Sequence, residues 1–258
     1  MTQWALITGA SSGIGLHLAE CFAKDGVSVV LNARNESKLK EIAARLEAEY
    51  RIKAIVIASD LSKAGAAPEL IAQVRQQAIR LDYLVNNAGV GTYGLFKDTP
   101  VEATTSMLRL NMESLTVLCS GFLPDLLETR GKILNVASTA AFQPGPYMAA
   151  YYATKAYVLS FSEALAEELA DSGVSVCALC PGPTESGFQA EANMQKSALV
   201  QGKHMPSSRE VAEKGYQALK RNQRVYIHGA LNWVMAQSIR FTPRSLATKV
   251  VKFISKPV

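Results

Sequence analysis

The sequence predicts an α/β fold: one doubly wound, Rossmann-type domain with a central parallel sheet of about seven strands and helices on both faces. Three observations carry this expectation. Short apolar runs at 3–8, 27–32, 52–58, 82–86, 131–137 and 174–180, with a shorter one at 224–228, alternate with longer helical patterns. These runs are nearly continuously apolar, as strands covered on both faces are. A glycine-rich turn separates the first run from the first helical pattern.

Helical periodicity occupies 13–25, 36–49, 68–80, 101–127, 150–171 and 208–221. Nothing resembles a linker, a repeat or a low-complexity tract. All 258 residues therefore read as one doubly wound domain. An irregular insertion at about 185–207 is expected to form a lid over the substrate, and 231–258 a basic helical tail.

Composition narrows the class. With 48% hydrophobic and 19% charged residues, the chain can bury a large core, which argues against disorder. No apolar run approaches the roughly 18–20 residues of a membrane-spanning helix. The first strand begins almost at the initiator Met1, leaving no room for a leader, so the expected compartment is cytoplasmic. Cys177 and Cys180 have metal-like spacing but lie on a strand, where i and i+3 face opposite sides. With three histidines and no HExxH motif, no metal site is expected. Nine Lys/Arg and no acid follow Glu213, although the net charge is only +5. Without a reading module, this basic stretch gives no reason to expect nucleic acid.

The first turn reads Thr8-Gly9-Ala10-Ser11-Ser12-Gly13-Ile14-Gly15. Glycines there allow close backbone approach to a pyrophosphate, and the following helix N-terminus supplies free N–H groups. The second strand ends at Leu31-Asn32-Ala33-Arg34 with no acid for a ribose 2′-hydroxyl. Arg34 can grip a 2′-phosphate with its guanidinium fork, so NADP(H) is favoured over NAD(H). Asp60-Leu61 and Asn86-Asn87-Ala88-Gly89 close the third and fourth strands, on the side where open α/β sheets hold ligands. Either could equally be turn chemistry. Asn111 interrupts a long apolar helix, and a buried amide needs partners. It is therefore a structural knot or part of a polar relay.

Ser138 closes the fifth strand, and Tyr151 and Lys155 open the next helix four residues apart. Such pairs lie on one helix face about 5–6 Å apart. An adjacent ammonium lowers a phenol pKa from its ordinary value of about 10, which suits proton transfer near neutrality. The Ser138 hydroxyl could bond the same reacting oxygen. Cys180-Pro181-Gly182-Pro183-Thr184 ends the sixth strand and could wall the pocket.

Taken in order, TGASSGIG at 8–15, Asp60, NNAG at 86–89, Asn111, Ser138, Tyr151-x-x-x-Lys155 and PGPT at 181–184 resemble the short-chain dehydrogenase/reductase family. The resemblance extends over nearly the whole chain, within the compact subgroup carrying TGxxxGxG and YxxxK. It implies an NADP(H)-dependent oxidoreductase interconverting a carbonyl and an alcohol. Tyr151 would be the proton donor, Lys155 would lower its pKa and bind the nicotinamide ribose, and Ser138 would orient the carbonyl. Asn111 would hold a water linking Lys155 to solvent. Gly9, Ser11, Ser12, Gly13, Ile14 and Gly15 would form the phosphate turn, with Arg34 on the 2′-phosphate and Asp60 and Leu61 beside the adenine. Asn87, Ala88 and Gly89 would contact the adenosine-side ribose or backbone. Pro181, Gly182 and Thr184 would face the nicotinamide amide. Tyr152 also lies near Lys155 in sequence, but the spacing to Ser138 and Lys155 selects Tyr151. Some NADP-preferring relatives carry a second basic residue where Ser11 and Ser12 stand, which leaves dual cofactor use open.

The loops that the motifs leave unassigned carry Tyr93, Phe96, Phe142, Tyr147, Met148, Phe188 and Met194. This apolar set suggests a hydrophobic carbonyl or alcohol as substrate. The apolar helices at 101–127 and 150–171 suggest a homodimer or homotetramer. The tail at 231–258 either packs over the substrate opening or a partner subunit, or meets a membrane surface as an amphipathic helix.

Overall fold

The computed structural model describes residues 2–192, 194, 197 and 205–256. Its seven strands form one sheet of order β3-β2-β1-β4-β5-β6-β7, and every pairing is parallel. The strands are β1 (Trp4–Thr8), β2 (Ser28–Ala33), β3 (Ala54–Ala58), β4 (Tyr83–Asn86), β5 (Lys132–Val136), β6 (Ser175–Cys180) and β7 (Val225–Ile227). All seven expected strands are present, each within a few residues of its apolar run.

Alternation along the strands sorts their side chains into two layers. Leu6, Val30, Leu84, Ile133 and Cys180 face α3 (Ala66–Gln76), α5 (Leu115–Thr129) and α6 (Ala149–Glu168). Ile7, Leu31, Val85, Leu134 and Cys177 face α1 (Gly13–Lys24), α2 (Glu36–Tyr50) and α8 (Ser208–Lys220). Cys177 and Cys180 thus lie on opposite sides of the sheet, and both are free thiols. Chain direction across the sheet reverses between β1 and β4, and this switch point opens a crevice at the carboxyl ends of the strands.

Two expectations need correction. The helix expected over 101–127 is α4 (Val101–Leu108), a π-helical stretch (Arg109–Ser114) and α5. The widening surrounds Asn111, whose side chain is drawn into tertiary hydrogen bonds, a cause that hydrophobic period cannot show. The tail is two helices, α9 (Ala230–Ser238) and α10 (Arg244–Ser255), separated by a short turn ending at Pro243. Within 185–207, the described part contains a short helix, α7 (Phe188–Glu191), and a bridge from Glu185 to Ser207. The rest of that stretch lies outside the described residues. No described helix is long and apolar enough to cross a membrane.

Candidate active site

At the end of β1, Gly9 adopts φ +66°. A Cβ there would come within 2.7 Å of Asn87 Nδ2, and one on Gly15 would collide with the Gly9 carbonyl oxygen. Only glycine permits this approach of the turn to the end of β4. The turn is held from below. Asn87 donates its side-chain amide to the Thr8 carbonyl (2.9 Å) and the Gly9 carbonyl (3.2 Å). The Thr8 hydroxyl accepts from the N–H groups of Asn87 and Ala88, both at 3.0 Å. Thr8 was not among the expected site residues, because its role depends on a partner 79 positions away.

The N-terminus of α1 is left open. Ser12 is its N-cap but makes no side-chain capping bond. The caps of α2 and α8 differ: Asn35 accepts from Lys38 N at 3.0 Å, and Ser207 from Glu210 N at 3.1 Å. A glycine cradle leading into an uncapped helix N-terminus fits a phosphate. Arg34 stands exposed at the end of β2. Its charge reaches Asp60, whose burial acts to raise its pKa. Hydrogen bonds from Ser62, with the charges of Arg34 and Lys63, hold the carboxyl below its ordinary range. Asp60 Oδ1 accepts from Ser62 Oγ at 2.7 Å and Ser62 N at 3.0 Å, while Leu61 is buried with its carbonyl bonded to Ser114 Oγ at 2.7 Å.

The expected proton-transfer residues gather at the carboxyl ends of β4, β5 and β6. Ser138 follows β5; its Oγ accepts from Ala140 N at 3.1 Å and hydrogen-bonds the Tyr151 side chain. Lys155 is buried, donating from Nζ to the Val136 carbonyl at 2.7 Å, with Nζ 5.9 Å from the centroid of the Tyr151 ring. Asn111 donates to the Val90 carbonyl (2.9 Å) and Thr154 Oγ1 (3.0 Å), and its Oδ1 accepts from Val90 N (3.0 Å). Thr154 in turn donates to the Tyr151 carbonyl at 2.7 Å. Lys155 and Asn111 meet at Gly89, where an added Cβ would lie 3.4 Å from Lys155 Nζ and 3.3 Å from Asn111 Oδ1. Asn111 is thus both knot and neighbour of the lysine.

The electrostatics differ from the spacing argument. Burial is the largest influence on both groups: it pushes the Tyr151 phenol up and the Lys155 ammonium down to about 8. The Ser138 hydrogen bond pulls the phenol the other way. Tyr152 belongs to the same apolar cluster as Tyr151, with its ring packed under Gly145 in the space a Cβ would take.

Beside Tyr151, Phe188 lies 5.3 Å away ring to ring, and Tyr93 and Tyr147 pair at 6.0 Å. Met148, Met194 and Val251 of α10 complete an apolar cluster with Tyr93, Tyr151 and Phe188. A Cβ on Gly91 would lie 2.8 Å from Phe188 Cζ and 3.2 Å from Tyr151 Cδ2, so glycine there lets these rings pack against the backbone. Three of the expected lining residues, Phe96, Phe142 and Tyr147, fall outside the cluster. Phe142 packs instead against the α3–α5–α6 layer, and Phe96 is exposed at the rim of a small recess with Tyr147 and Met148. On the far side of Ser138, Pro181 accepts from Thr139 N at 2.9 Å, and Thr184 donates to the Gly182 carbonyl at 2.9 Å.

Comparison with known proteins extends these observations. The family described as short chain dehydrogenase matches residues 3–197. A short chain dehydrogenase of Pseudocercospora fijiensis is 36% identical over 189 residues, which is 72% of this chain and 61% of that protein; this chain therefore matches less than two thirds of that relative's length. A short-chain dehydrogenase from Sphingobium yanoikuyae, solved in complex with NADPH, superposes with a TM-score of 0.83 at 32% identity, covering 93% of this chain and 94% of that one. The bulky-bulky ketone specific alcohol dehydrogenase from Comamonas testosteroni gives 0.79 at 30% identity, covering 93% and 92%.

Proposed function

This chain belongs to the short-chain dehydrogenase family, and on that premise we propose that it is an NADP(H)-dependent oxidoreductase interconverting a bulky hydrophobic ketone or aldehyde and its alcohol. The observation that carries the reading is the convergence of Ser138, Tyr151, Lys155 and Asn111 beside an apolar cluster at the carboxyl ends of the strands. Bound NADP(H) would supply or accept hydride at the carbonyl carbon. The Gly9–Gly15 turn and the open end of α1 would hold its phosphates, and Arg34 its 2′-phosphate. Asp60, Leu61, Ala88 and Gly89 would line the adenosine side, and Pro181, Gly182 and Thr184 the nicotinamide side. Asn87 serves mainly by bracing the turn through Thr8 and Gly9.

In the reducing direction, Tyr151 Oη gives its proton to the substrate oxygen, while the Ser138 hydroxyl orients and polarises that oxygen. Burial keeps the phenol protonated at neutral pH, which suits a proton donor. Lys155 would resupply the proton, and Asn111, whose Oδ1 lies with Lys155 Nζ around Gly89, would hold the water that links the lysine to solvent. Phe188, Met148, Met194 and Tyr93 exclude water and accept an apolar substrate. The identities of the Sphingobium and Comamonas neighbours, in complex with NADPH and specific for bulky-bulky ketones, support this cofactor and substrate class.

Initial rates of NADPH oxidation against a panel of aryl and alkyl ketones and aldehydes test the reading. Turnover is expected to favour bulky apolar members, and no turnover on any carbonyl would sink it. In the same assay Arg34→Ser should raise the KM for NADPH about 10- to 100-fold and leave that for NADH nearly unchanged, since it removes charge-assisted bonds worth ~1.5–3 kcal/mol. An equal effect on both cofactors would remove Arg34 from the 2′-phosphate. Gly15→Ala should weaken binding of either cofactor by at least ~100-fold, about 2.7 kcal/mol, because the turn must open to relieve the collision with Gly9. Fluorescence titration reads this directly.

Association of two copies is part of the same proposal. Tyr157 and Phe161 of α6 stack 6.0 Å apart on the protein surface, and Tyr157 hydrogen-bonds Thr116 of α5 at 2.8 Å.

A further inference from the structure

Helix α10 is divided lengthwise into three stripes. Ala247, Val251 and Ser255, at i, i+4 and i+8, are buried. Val251 joins the pocket cluster, and the Ser255 carbonyl accepts from Tyr93 Oη at 2.6 Å. The tail therefore packs on the apolar cluster beside Tyr151. Leu246, Val250, Phe253 and Ile254, at i, i+4, i+7 and i+8, form a second stripe that is exposed, Phe253 at 70%. Lys249, Lys252 and Lys256, at i, i+3 and i+7, form the third, and Lys256 Nζ sits 5.0 Å from the Phe253 ring centroid.

The exposure continues upstream. Leu231 is 72% exposed, Phe241 89% exposed, and Trp233 stands more than half out of the protein. Nine of the fifteen exposed large apolar side chains among the described residues fall between 231 and 254. Apolar surface concentrated in this way marks an interaction site. Its charge says with what. Arg240, Arg244, Lys249, Lys252 and Lys256 accompany these side chains, and no Asp or Glu occurs after Glu213. Two copies meeting through this face about a two-fold axis would oppose cations to cations with nothing to neutralise them. An anionic lipid surface satisfies both features: apolar side chains enter the acyl boundary while the long basic side chains reach headgroup phosphates.

We infer that the α9–α10 segment docks on membranes containing anionic phospholipid, with the Leu246–Val250–Phe253–Ile254 stripe inserted and the flanking lysines at the headgroups. Because the buried stripe of the same helix packs on the apolar cluster beside Tyr151, docking brings that cluster close to the lipid. The inference does not depend on the catalytic reading.

Cosedimentation of the full-length protein with phosphatidylcholine vesicles, with and without phosphatidylserine, tests it. Binding is expected only with phosphatidylserine. Raising ionic strength from ~0.01 M to ~1 M, which shortens the screening length from ~30 to ~3 Å, should release the protein. Leu246→Ser with Phe253→Ser, and separately Lys249→Glu with Lys252→Glu, should each lower the bound fraction about 10-fold or more. All four side chains are exposed, so circular dichroism and Tm should stay at wild-type values. Equal binding to both vesicle types, or none, overturns the inference, as does undiminished binding of the serine variant. If light scattering shows the serine variant as a smaller species and vesicles never retain the wild type, the face lies between copies and the membrane docking is wrong.

Discussion

Tyr151→Phe should lower kcat for NADPH-dependent ketone reduction by about 10²–10⁴-fold, the range expected for removing a positioned proton donor. NADPH affinity should be nearly unchanged. The substitution deletes one oxygen and keeps the ring, so packing against Phe188 at 5.3 Å is preserved. Ser138 loses a partner but still accepts from Ala140 N at 3.1 Å. Tyr152 cannot substitute, because its ring is packed under Gly145. Burial raises the phenol pKa, so reduction should proceed well at and below neutrality, where the phenol carries its proton. Alcohol oxidation needs the deprotonated form and should climb with pH. Steady-state rates beside a cofactor titration decide the matter. Retained kcat would mean that the proton comes from another group; lost rate with lost NADPH affinity would mean that the Tyr151 hydroxyl positions cofactor rather than delivering a proton.

The sheet was legible because its central strands are buried and so read as nearly unbroken apolar runs, bounded by glycine or polar turns, while the edge strands β3 and β7 are only partly buried. The site was legible where chemistry is local. The Gly9–Gly15 turn is contiguous, and Tyr151 and Lys155 share a helix face. What escaped depends on partners distant in the chain. The π-helical stretch at Arg109–Ser114 follows from Asn111 bonding to Val90 and Thr154, the second of these 43 positions away. Thr8 braces Asn87 and Ala88 from the opposite side of the switch point. Phe142 belongs to the core because the turn after Ser138 directs it to the α3–α5–α6 layer, which composition does not reveal. Spacing also showed that Lys155 lies near Tyr151 but not that the lysine is buried and the tyrosine half-buried, and desolvation decides the sign of their shifts.

That burial makes Lys155 costly to the fold. Its pKa falls from 10.5 to about 8, chiefly through desolvation of the ammonium. Below pH 8 the lysine is charged in both folded and unfolded chains, and the full cost of burying the charge is present. Between 8 and 10.5 the unfolded chain binds more protons, so stability rises with pH across this window. At about 1.4 kcal/mol per pKa unit, the cost at neutrality is roughly 3 kcal/mol. Lys155→Met keeps most of the apolar stem and removes the charge, but leaves the Val136 carbonyl without its 2.7 Å partner, a loss of about 1–3 kcal/mol. Relative to the wild type, the cofactor-free variant should therefore be equal or more stable at pH 7. It should lose about 3 kcal/mol against the wild type by pH 10.5, because the wild type alone gains the relief. Urea unfolding of both proteins at the two pH values measures the difference, in which all other titrating groups cancel. The same variant should have almost no reductase activity, since the proton supply to Tyr151 is broken. A stability difference independent of pH would show that Lys155 is not desolvated in the folded chain, and activity close to wild type would remove it from the proton path.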